Sequence, residues 1–256
     1  MIDLHAHLLP NLDDGPRTLE DSLAFLRRAD QDGVHALVAV AHANDVRFNV
    51  PKDPYCQTFH DVEKTLQERG LRTRLITAME VRVGPGAVEG FLEGRFLPLA
   101  DTRCACLELP ANDFPIETFE IIQRLQAAEF RVALMHPETN RALRLHPDLA
   151  DRLLAFGVIG IASAGSVLGQ LGPEVERLSM DLMELGLVQT VGSGAHAANR
   201  RPVRLSAVRE LLCRRFGDQE VEWMMEEVPH RLLSDQPIAL RARQPLGWQR
   251  WVAGRR

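Results

Sequence analysis

The sequence predicts one α/β domain, a parallel TIM-like barrel built from seven strand–helix repeats. Short β-like runs alternate with amphipathic helical patterns along the 256 residues, as is typical of parallel strands joined by helical crossovers. No linker-like stretch divides the repeats, and the 45% hydrophobic content is ordinary for a globular domain. A doubly wound open sheet is the alternative arrangement of the same elements.

Apolar runs predict the strands, and apolar residues at helical spacing predict the helices. The first helix is bounded by Thr18, a suitable N-cap with Asp21 three residues on, and by Gly33 after its end. The predicted strands are, in chain order, 1–5, 35–41, 74–81, 103–109, 131–135, 158–162 and 187–191. The predicted helices are 18–31, 54–69, 87–93, 116–128, 147–156, 173–185 and 203–216.

The composition changes after Ser234. Residues 235–256 carry five arginines, one aspartate and the pair Trp248 and Trp251. We therefore expect a main domain at 1–234 and a basic-aromatic C-terminal tail at 235–256. Such a tail is either a loosely ordered solvated segment or a segment that docks on a partner or an anionic surface.

Charge and composition argue against several protein classes. The net charge of −5 lacks the basic footprint of a nucleic-acid-binding protein. No apolar run approaches the roughly 18 residues that span a bilayer, so we expect no membrane span. The acidic start Met-Ile-Asp-Leu-His has no basic region of the kind that opens a signal peptide. The four cysteines form no Cys-x-x-Cys pair, so we interpret them as core residues of a cytoplasmic protein.

Histidine and carboxylate side chains follow the ends of six of the seven predicted strands. In a parallel barrel those strand ends converge on one rim. Eight such groups could not share that rim without cations to offset carboxylate repulsion and satisfy the imidazoles. The sequence therefore predicts a metal centre, whereas His60 lacks this placement and is interpreted as a structural or surface residue. The candidate ligands are His5, His7, Asp14, His42, Glu80, Glu108, His136 and His196.

The types of ligand narrow the choice of metal. Imidazole and carboxylate without thiolate suit Mn²⁺, Fe²⁺, Zn²⁺ or Co²⁺ and disfavour a structural zinc site. The number of ligands exceeds the need of one ion, so about two or three ions are expected, as in metal-assisted phosphoester hydrolysis. Arginines close to the same rim would recognise a phosphate group through their planar fork: Arg82, Arg141 and the pair Arg200-Arg201.

Several motifs together resemble one known family. They are the opening Met-Ile-Asp-Leu-His-Ala-His, Ala78-Met79-Glu80-Val81-Arg82, Leu107-Glu108-Leu109-Pro110, His136-Pro137-Glu138 and Ser193-Gly194-Ala195-His196. This set resembles the PHP (polymerase and histidinol phosphatase) superfamily. It is most similar to its bacterial tyrosine-protein phosphatases of capsule and exopolysaccharide operons, the CpsB/CapC-like branch, over almost the whole chain up to Ser234.

The resemblance implies a distorted (β/α)7 barrel with a trinuclear centre, usually of manganese. It implies hydrolysis of phosphotyrosine on the tail of a partner tyrosine autokinase that controls polysaccharide synthesis; a homo-oligomer is left open. By position, the eight residues above correspond to the family's metal ligands, and Arg201 corresponds to the arginine that clamps the phosphate.

Two positions depart from the family pattern. The family carries an aspartate ligand where this chain has Gly194, and a phosphate-contacting arginine where it has Thr139. A missing carboxylate should weaken one metal ion, and a missing arginine should weaken phosphate binding. We therefore expect a weakened phosphatase activity that Gly194→Asp increases.

Two other functions remain open at this point. One is a PHP phosphoesterase acting on a small phosphorylated metabolite such as histidinol phosphate. The other is a weakened or inactive phosphatase fold that acts as a kinase-binding regulator. A shallow, arginine-rimmed mouth favours the tyrosine phosphatase, a deep closed pocket favours the metabolite enzyme, and a vacant first metal position favours the regulator.

Overall fold

A computed structural model of the protein describes residues 1–196 and 204–241. The strands within these residues are β1 (Ile2–Ala6), β2 (Ala36–Ala39), β3 (His42–Ala43), β4 (Arg74–Thr77), β5 (Glu80–Arg82), β6 (Cys104–Glu108), β7 (Arg131–Met135), β8 (Ile159–Ser163) and β9 (Val188–Gly192). The helices are α1 (Leu19–Gln31), α2 (Lys52–Glu68), α3 (Ala87–Leu92), α4 (Thr118–Ala127), α5 (Arg141–Leu145), α6 (Asp148–Ala155), α7 (Ala164–Val167), α8 (Pro173–Leu185), α9 (Leu205–Phe216), α10 (Asp218–Glu222) and α11 (Val228–Leu233). A 3₁₀ turn covers Pro137–Thr139 and a π-helical turn covers Trp223–Glu227.

The strands form a closed parallel barrel, which confirms the predicted fold class. They pair in the orders β1-β2-β4 and β3-β5-β6-β7-β8-β9. Because β3 and β5 continue the paths of β2 and β4, the two sheets make seven positions around one barrel. The barrel closes where β1 meets the end of β9: Ala6 pairs with Ala195, and the His7 N–H donates to the Ala195 carbonyl at 2.8 Å. An open sheet is thereby excluded.

Tyr55 divides two predicted strands into four. Its hydroxyl donates to the Ala39 carbonyl at the end of β2 and accepts from the Ala78 N–H, 3.1 Å away, just beyond β4. The phenol thus replaces one step of the hydrogen-bond ladder, and strands predicted at 35–41 and 74–81 each break at this point. Burial raises the pKa of this phenol, which keeps it protonated.

The barrel interior is polar at the carboxyl ends of the strands and apolar beneath them, toward the amino ends. Side chains on alternating strand positions form an inner cluster that includes Val40, Ala78 and Cys106. Since the side-chain period of a strand is two, the next inward positions are His42, Glu80 and Glu108. The candidate ligands therefore sit directly above a packed apolar layer that excludes water from beneath them.

The lower end of the barrel is covered by the last described elements. Val228 and Leu232 of α11 complete the inner cluster, and Ile238 and Leu240 pack against it. The guanidinium of Arg241 lies 3.7 Å from the ring centre of Trp223. The described part of the predicted tail, 235–241, thus lies against the barrel, and Trp248 and Trp251 fall outside the described residues. No helix among the described residues is both long and apolar enough to cross a bilayer.

Candidate metal centre

All eight predicted ligands lie together at the carboxyl end of the barrel. A register shift in β1 between Asp3 and Ala6 turns His5 to the interior after Leu4, and His7 follows two residues later. His136 follows β7 in a left-handed backbone conformation with φ of 33°, which turns its ring inward. The spacing of candidate ligands after strand ends therefore predicted their convergence correctly.

Glu80 is the centre of the inner group. Its Oε2 lies 3.1 Å from Nε2 of both His5 and His7, and its Oε1 lies 2.8 Å from Nε2 of His136. Glu108 completes the group, with its Oε1 3.5 Å from the His136 nitrogen. Glu80 is fully buried, so its charge faces imidazoles and no solvent.

Asp14 forms an outer group with three histidines. Its Oδ1 lies 3.6 Å from Nε2 of His42 and 3.5 Å from Nε2 of His196. The ring of His7 stacks on that of His196 with centroids 4.3 Å apart. The Asp14 side chain is 42% exposed, so the ligand groups run from solvent down into the barrel.

The donor set fits divalent cations. Three overlapping groups have ligand atoms that all lie within 4.8 Å of one another: His7, Asp14, His42 and His196; His5, His7 and Glu80; His42, Glu80 and Glu108. Several atoms in these groups are buried without a well-aligned hydrogen bond, among them His42 Nδ1, Glu80 Oε1 and Glu108 Oε2. The ion pairs around these atoms do not replace aligned hydrogen bonds, and a bound cation would satisfy their lone pairs.

The mutual charges of the group shift its pKa values. Burial lowers the pKa of His42, but the nearby carboxylates of Asp14, 3.6 Å away, and Glu108, 3.5 Å away, outweigh burial and raise it to about 11. Burial likewise lowers the pKa of His7, and Asp13 outweighs it to give a value of about 9. Burial raises the pKa of Glu80, yet neighbouring imidazoles hold it well below its usual range. Protons therefore occupy this negative basin at neutral pH, and an entering cation must displace them.

Three contacts fix the orientation of the imidazoles. Asp13 accepts at Oδ2 from His7 Nδ1 over 2.8 Å, and Thr139 Oγ1 lies 3.0 Å from His136 Nδ1. His196 Nδ1 lies 2.9 Å from the Gly194 carbonyl. Each contact leaves Nε2 facing the basin, the arrangement common around metal-binding histidines. The adjacent pair Asp13-Asp14 was the only signal in the sequence for the role of Asp13.

The predicted arginines have different surroundings. Arg82 is held by Asp45 at 2.6 Å, by Glu108 at 3.1 Å and by the Leu109 carbonyl at 2.9 Å. Arg141 begins α5 and is exposed. Arg200 and Arg201 lie outside the described residues. The basin is a cavity of about 260 Å³, and the arginine that lines it within the described part of the chain is Arg47, which sequence analysis missed.

Gly194 adopts a conformation that favours glycine. Its φ is +58°, and a Cβ added to it would lie 2.8 Å from the Ser163 Cβ. Gly194 and Ser163 both line the cavity. A side chain at position 194 would therefore point at the cavity wall and crowd Ser163.

Comparison with known proteins identifies relatives of this chain. A profile of the capsular polysaccharide synthesis family CpsB/CapC matches residues 1–234. Tyrosine-protein phosphatase YwqE of Bacillus subtilis is 27% identical over 246 residues, which cover 96% of each chain. CapC of Staphylococcus aureus is 25% identical over 228 residues, covering 89% of this chain and 87% of CapC.

A solved structure agrees with these sequence matches. It comes from a study of YwqE from Bacillus subtilis and CpsB from Streptococcus pneumoniae, described as metal-dependent tyrosine phosphatases. It superposes with a TM-score of 0.91 at 26% identity and covers 96% of this chain and 99% of its own. The fold is therefore shared over almost the full length of both chains.

Proposed function

The chain belongs to the CpsB/CapC family of capsular polysaccharide synthesis proteins, and from this premise we propose that it is a metal-dependent protein-tyrosine phosphatase. The observation that carries the proposal is the convergence of seven of the eight predicted side chains in three overlapping ligand groups, with the eighth, His136, 2.8 Å from Glu80. Relatives named as tyrosine phosphatases match nearly the whole chain, which supports the same class of reaction.

We assign the eight residues as ligands of about two or three divalent ions. Mn²⁺ is the first choice, with Fe²⁺, Zn²⁺ and Co²⁺ as alternatives that suit the same donors. His7 offers only Nε2, because Asp13 holds its Nδ1. Glu80 has two oxygens on different imidazoles and is therefore suited to serve two ions at once.

Bound divalent ions supply charge neutralisation for phosphoryl oxygens and lower the pKa of water. The chain itself supplies the orientation. Asp13 and Thr139 fix the rings of His7 and His136, and Arg82 holds the Glu108 carboxylate. We assign Arg201 as a phosphate clamp from its family position, with Arg141 as a further candidate on the same rim.

The cavity mouth favours a phosphate presented by a protein. Asp14 at the edge is 42% exposed and Arg47 is 75% exposed, so the basin opens to solvent and has no enclosing lid of described residues. An extended phosphotyrosine side chain reaches such a mouth, whereas a small metabolite would gain more from an enclosed pocket. We propose that the substrate is the phosphotyrosine tail of a tyrosine autokinase, dephosphorylated in the cytoplasm during control of capsule synthesis.

Two residues favour a second candidate, a kinase-binding regulator with little hydrolysis. Gly194 supplies no carboxylate, and the hydroxyl of Thr139 is engaged with His136. Tight binding of a phosphotyrosine peptide without turnover would distinguish this role.

The decisive experiment measures metal content and hydrolysis on the same purified samples. Wild type loaded with Mn²⁺ should release phosphate from a phosphotyrosine peptide faster than from a phosphoserine peptide or histidinol phosphate. Glu80→Ala should lose bound metal and activity by about tenfold or more. His60→Ala, an exposed control in α2, should keep both.

Three results would contradict the proposal. One is equal metal content in wild type, Glu80→Ala and His60→Ala. Another is preference for histidinol phosphate over the peptide. The third is a metal-loaded wild type that binds the peptide without cleaving it, which would favour the regulator.

A further inference from the structure

The loop between β3 and α2 is firmly attached to the cavity wall. The Val50 N–H donates to the His42 carbonyl at 3.0 Å, and the Asn44 N–H donates to Asn49 Oδ1 at 2.9 Å. The Phe48 ring lies against the His42 ring, with centroids 5.9 Å apart and planes at 16°. The backbone of this loop is therefore held in place relative to a candidate ligand.

Asp45 is the internal anchor of the loop. Its Oδ1 accepts from the N–H groups of Arg47 and Phe48 at 2.7 and 3.2 Å, while its Oδ2 lies 2.6 Å from Arg82 Nη2. The carboxylate is thus satisfied by Arg82 and the backbone. The Arg47 guanidinium reaches Asp45 only at 3.9 Å, too far for a hydrogen bond.

Arg47 combines a fixed backbone with an available charge. Its side chain lines the cavity and is 75% exposed. Arg82 is already paired with Asp45, Glu108 and the Leu109 carbonyl. The Thr139 hydroxyl already contacts His136. Among residues 1–196 and 204–241, Arg47 is therefore the arginine placed to meet an anion that enters the cavity.

We propose that Arg47 binds the phosphate of the incoming phosphomonoester and so supplies substrate recognition that position 139 does not provide. The inference rests on the proposed phosphatase function. The guanidinium presents a planar pair of donors to two phosphoryl oxygens, and the anchored loop lowers the entropy lost when it does so. Since Arg47 lies at the mouth, its effect falls on binding of the dianion more than on the chemical step.

The test compares phosphate binding and kinetics in four proteins: wild type, Arg47→Ala, Arg47→Lys and Arg27→Ala. Arg27 is an exposed arginine on α1 and serves as the control for loss of one surface charge. Inorganic phosphate is titrated calorimetrically into the Mn²⁺-loaded proteins. The kcat and KM on a phosphotyrosine peptide are measured at low and high salt, with metal content and Tm recorded for each.

Arg47→Ala should weaken phosphate binding and raise KM by about tenfold, the low end for a charge-assisted hydrogen bond at an exposed site, with kcat changed by less than about twofold. Arg47→Lys should recover part of the loss, because it keeps the charge without the fork. The salt dependence of KM should diminish in Arg47→Ala. Arg27→Ala should match wild type throughout.

Phosphate affinity and KM that are unchanged in Arg47→Ala would overturn the inference, as would an equal loss in Arg27→Ala or a wild type that binds no phosphate. Its failure is separable from that of the proposed function. If wild type cleaves the peptide and Arg47→Ala behaves identically, only the role of Arg47 fails. If wild type binds phosphate but cleaves no peptide, the phosphatase proposal fails, and phosphate affinity alone decides for Arg47.

Discussion

The substitution Gly194→Asp has two expected effects, one on metal binding through the added carboxylate and one on stability through the backbone at position 194. The variant places a carboxylate on the cavity wall, where it should add an anionic ligand near His5 and His7. The same substitution introduces a Cβ at φ +58°, 2.8 Å from the Ser163 Cβ. We therefore expect tighter metal binding together with lower stability.

The two effects have different magnitudes. Left-handed backbone costs a non-glycine residue about 1–2 kcal/mol, and crowding in a packed site costs about 1–3 kcal/mol. The expected loss of stability is their sum, about 2–5 kcal/mol, and Tm falls by about 2–4 °C per kcal/mol in a protein of this size. A carboxylate beside a divalent ion should improve its affinity by about tenfold or more.

Gly194→Ala is the matched control. Alanine carries the same Cβ, strain and contact with Ser163, but it brings no carboxylate. Both variants should melt below wild type, and only Gly194→Asp should bind Mn²⁺ more tightly and hydrolyse phosphotyrosine peptide faster at limiting metal. Equal Mn²⁺ affinity in the two folded variants would refute the ligand argument, and an unchanged Tm in Gly194→Ala would refute the argument from strain.

Four further predictions concern pH, stability and positioning. Mn²⁺ affinity should rise from about pH 6 to 9 with release of protons. Burial lowers the pKa of His7, but the nearby Asp13 carboxylate outweighs burial and raises that pKa to about 9. Calorimetry in two buffers detects the released protons, and a pH-independent affinity would contradict this prediction. In the metal-free protein the same raised pKa stabilises the fold below about pH 6.5, and this stability is lost as pH rises through 9. Asp3→Ala should lower the free energy of unfolding in urea by about 2–4 kcal/mol, since the buried N–H groups of His5 and Ser193 lose their acceptor. Asp3→Asn should lower it by less, and equal losses in the two variants would show that the acceptor oxygen is unimportant. Thr139→Val should lower metal affinity about tenfold by releasing the His136 ring, while Thr139→Ser should retain it, and identical metal content in both would argue against a positioning role.

The sequence predicted the barrel and the convergence of the candidate ligands because both depend on a short-range rule. A strand alternates its side chains, so ligands two residues beyond inward apolar positions must face the same interior, as His42 and Glu80 do. Predicted element ends lie within one or two residues of those observed over most of the barrel. The left-handed turn at His136 and the register shift that turns His5 inward are exceptions to the alternation, and the sequence gives no sign of either.

Other features depend on contacts that the sequence does not specify. The break in two predicted strands results from the hydrogen bonds made by the hydroxyl of Tyr55, which is distant in sequence. Arg47 lies in a loop whose path is set by the charge of Arg82 on another strand. The helical elements from Asp218 to Leu233 were not predicted, because Pro229 disfavours a helix interior. The π-helical turn ends just before α11, so Pro229 lies in the first turn of α11, where its lack of an N–H is tolerated.

The hydrogen-bonded phenol that interrupts the barrel wall has a further consequence. Tyr55 is the only tyrosine in the chain, and none of its surface is exposed. The folded protein therefore exposes no tyrosine hydroxyl that a tyrosine kinase could phosphorylate. Detection with antibodies against phosphotyrosine would accordingly need no correction for a signal from the folded chain when it is assayed in a mixture with a tyrosine-phosphorylated protein.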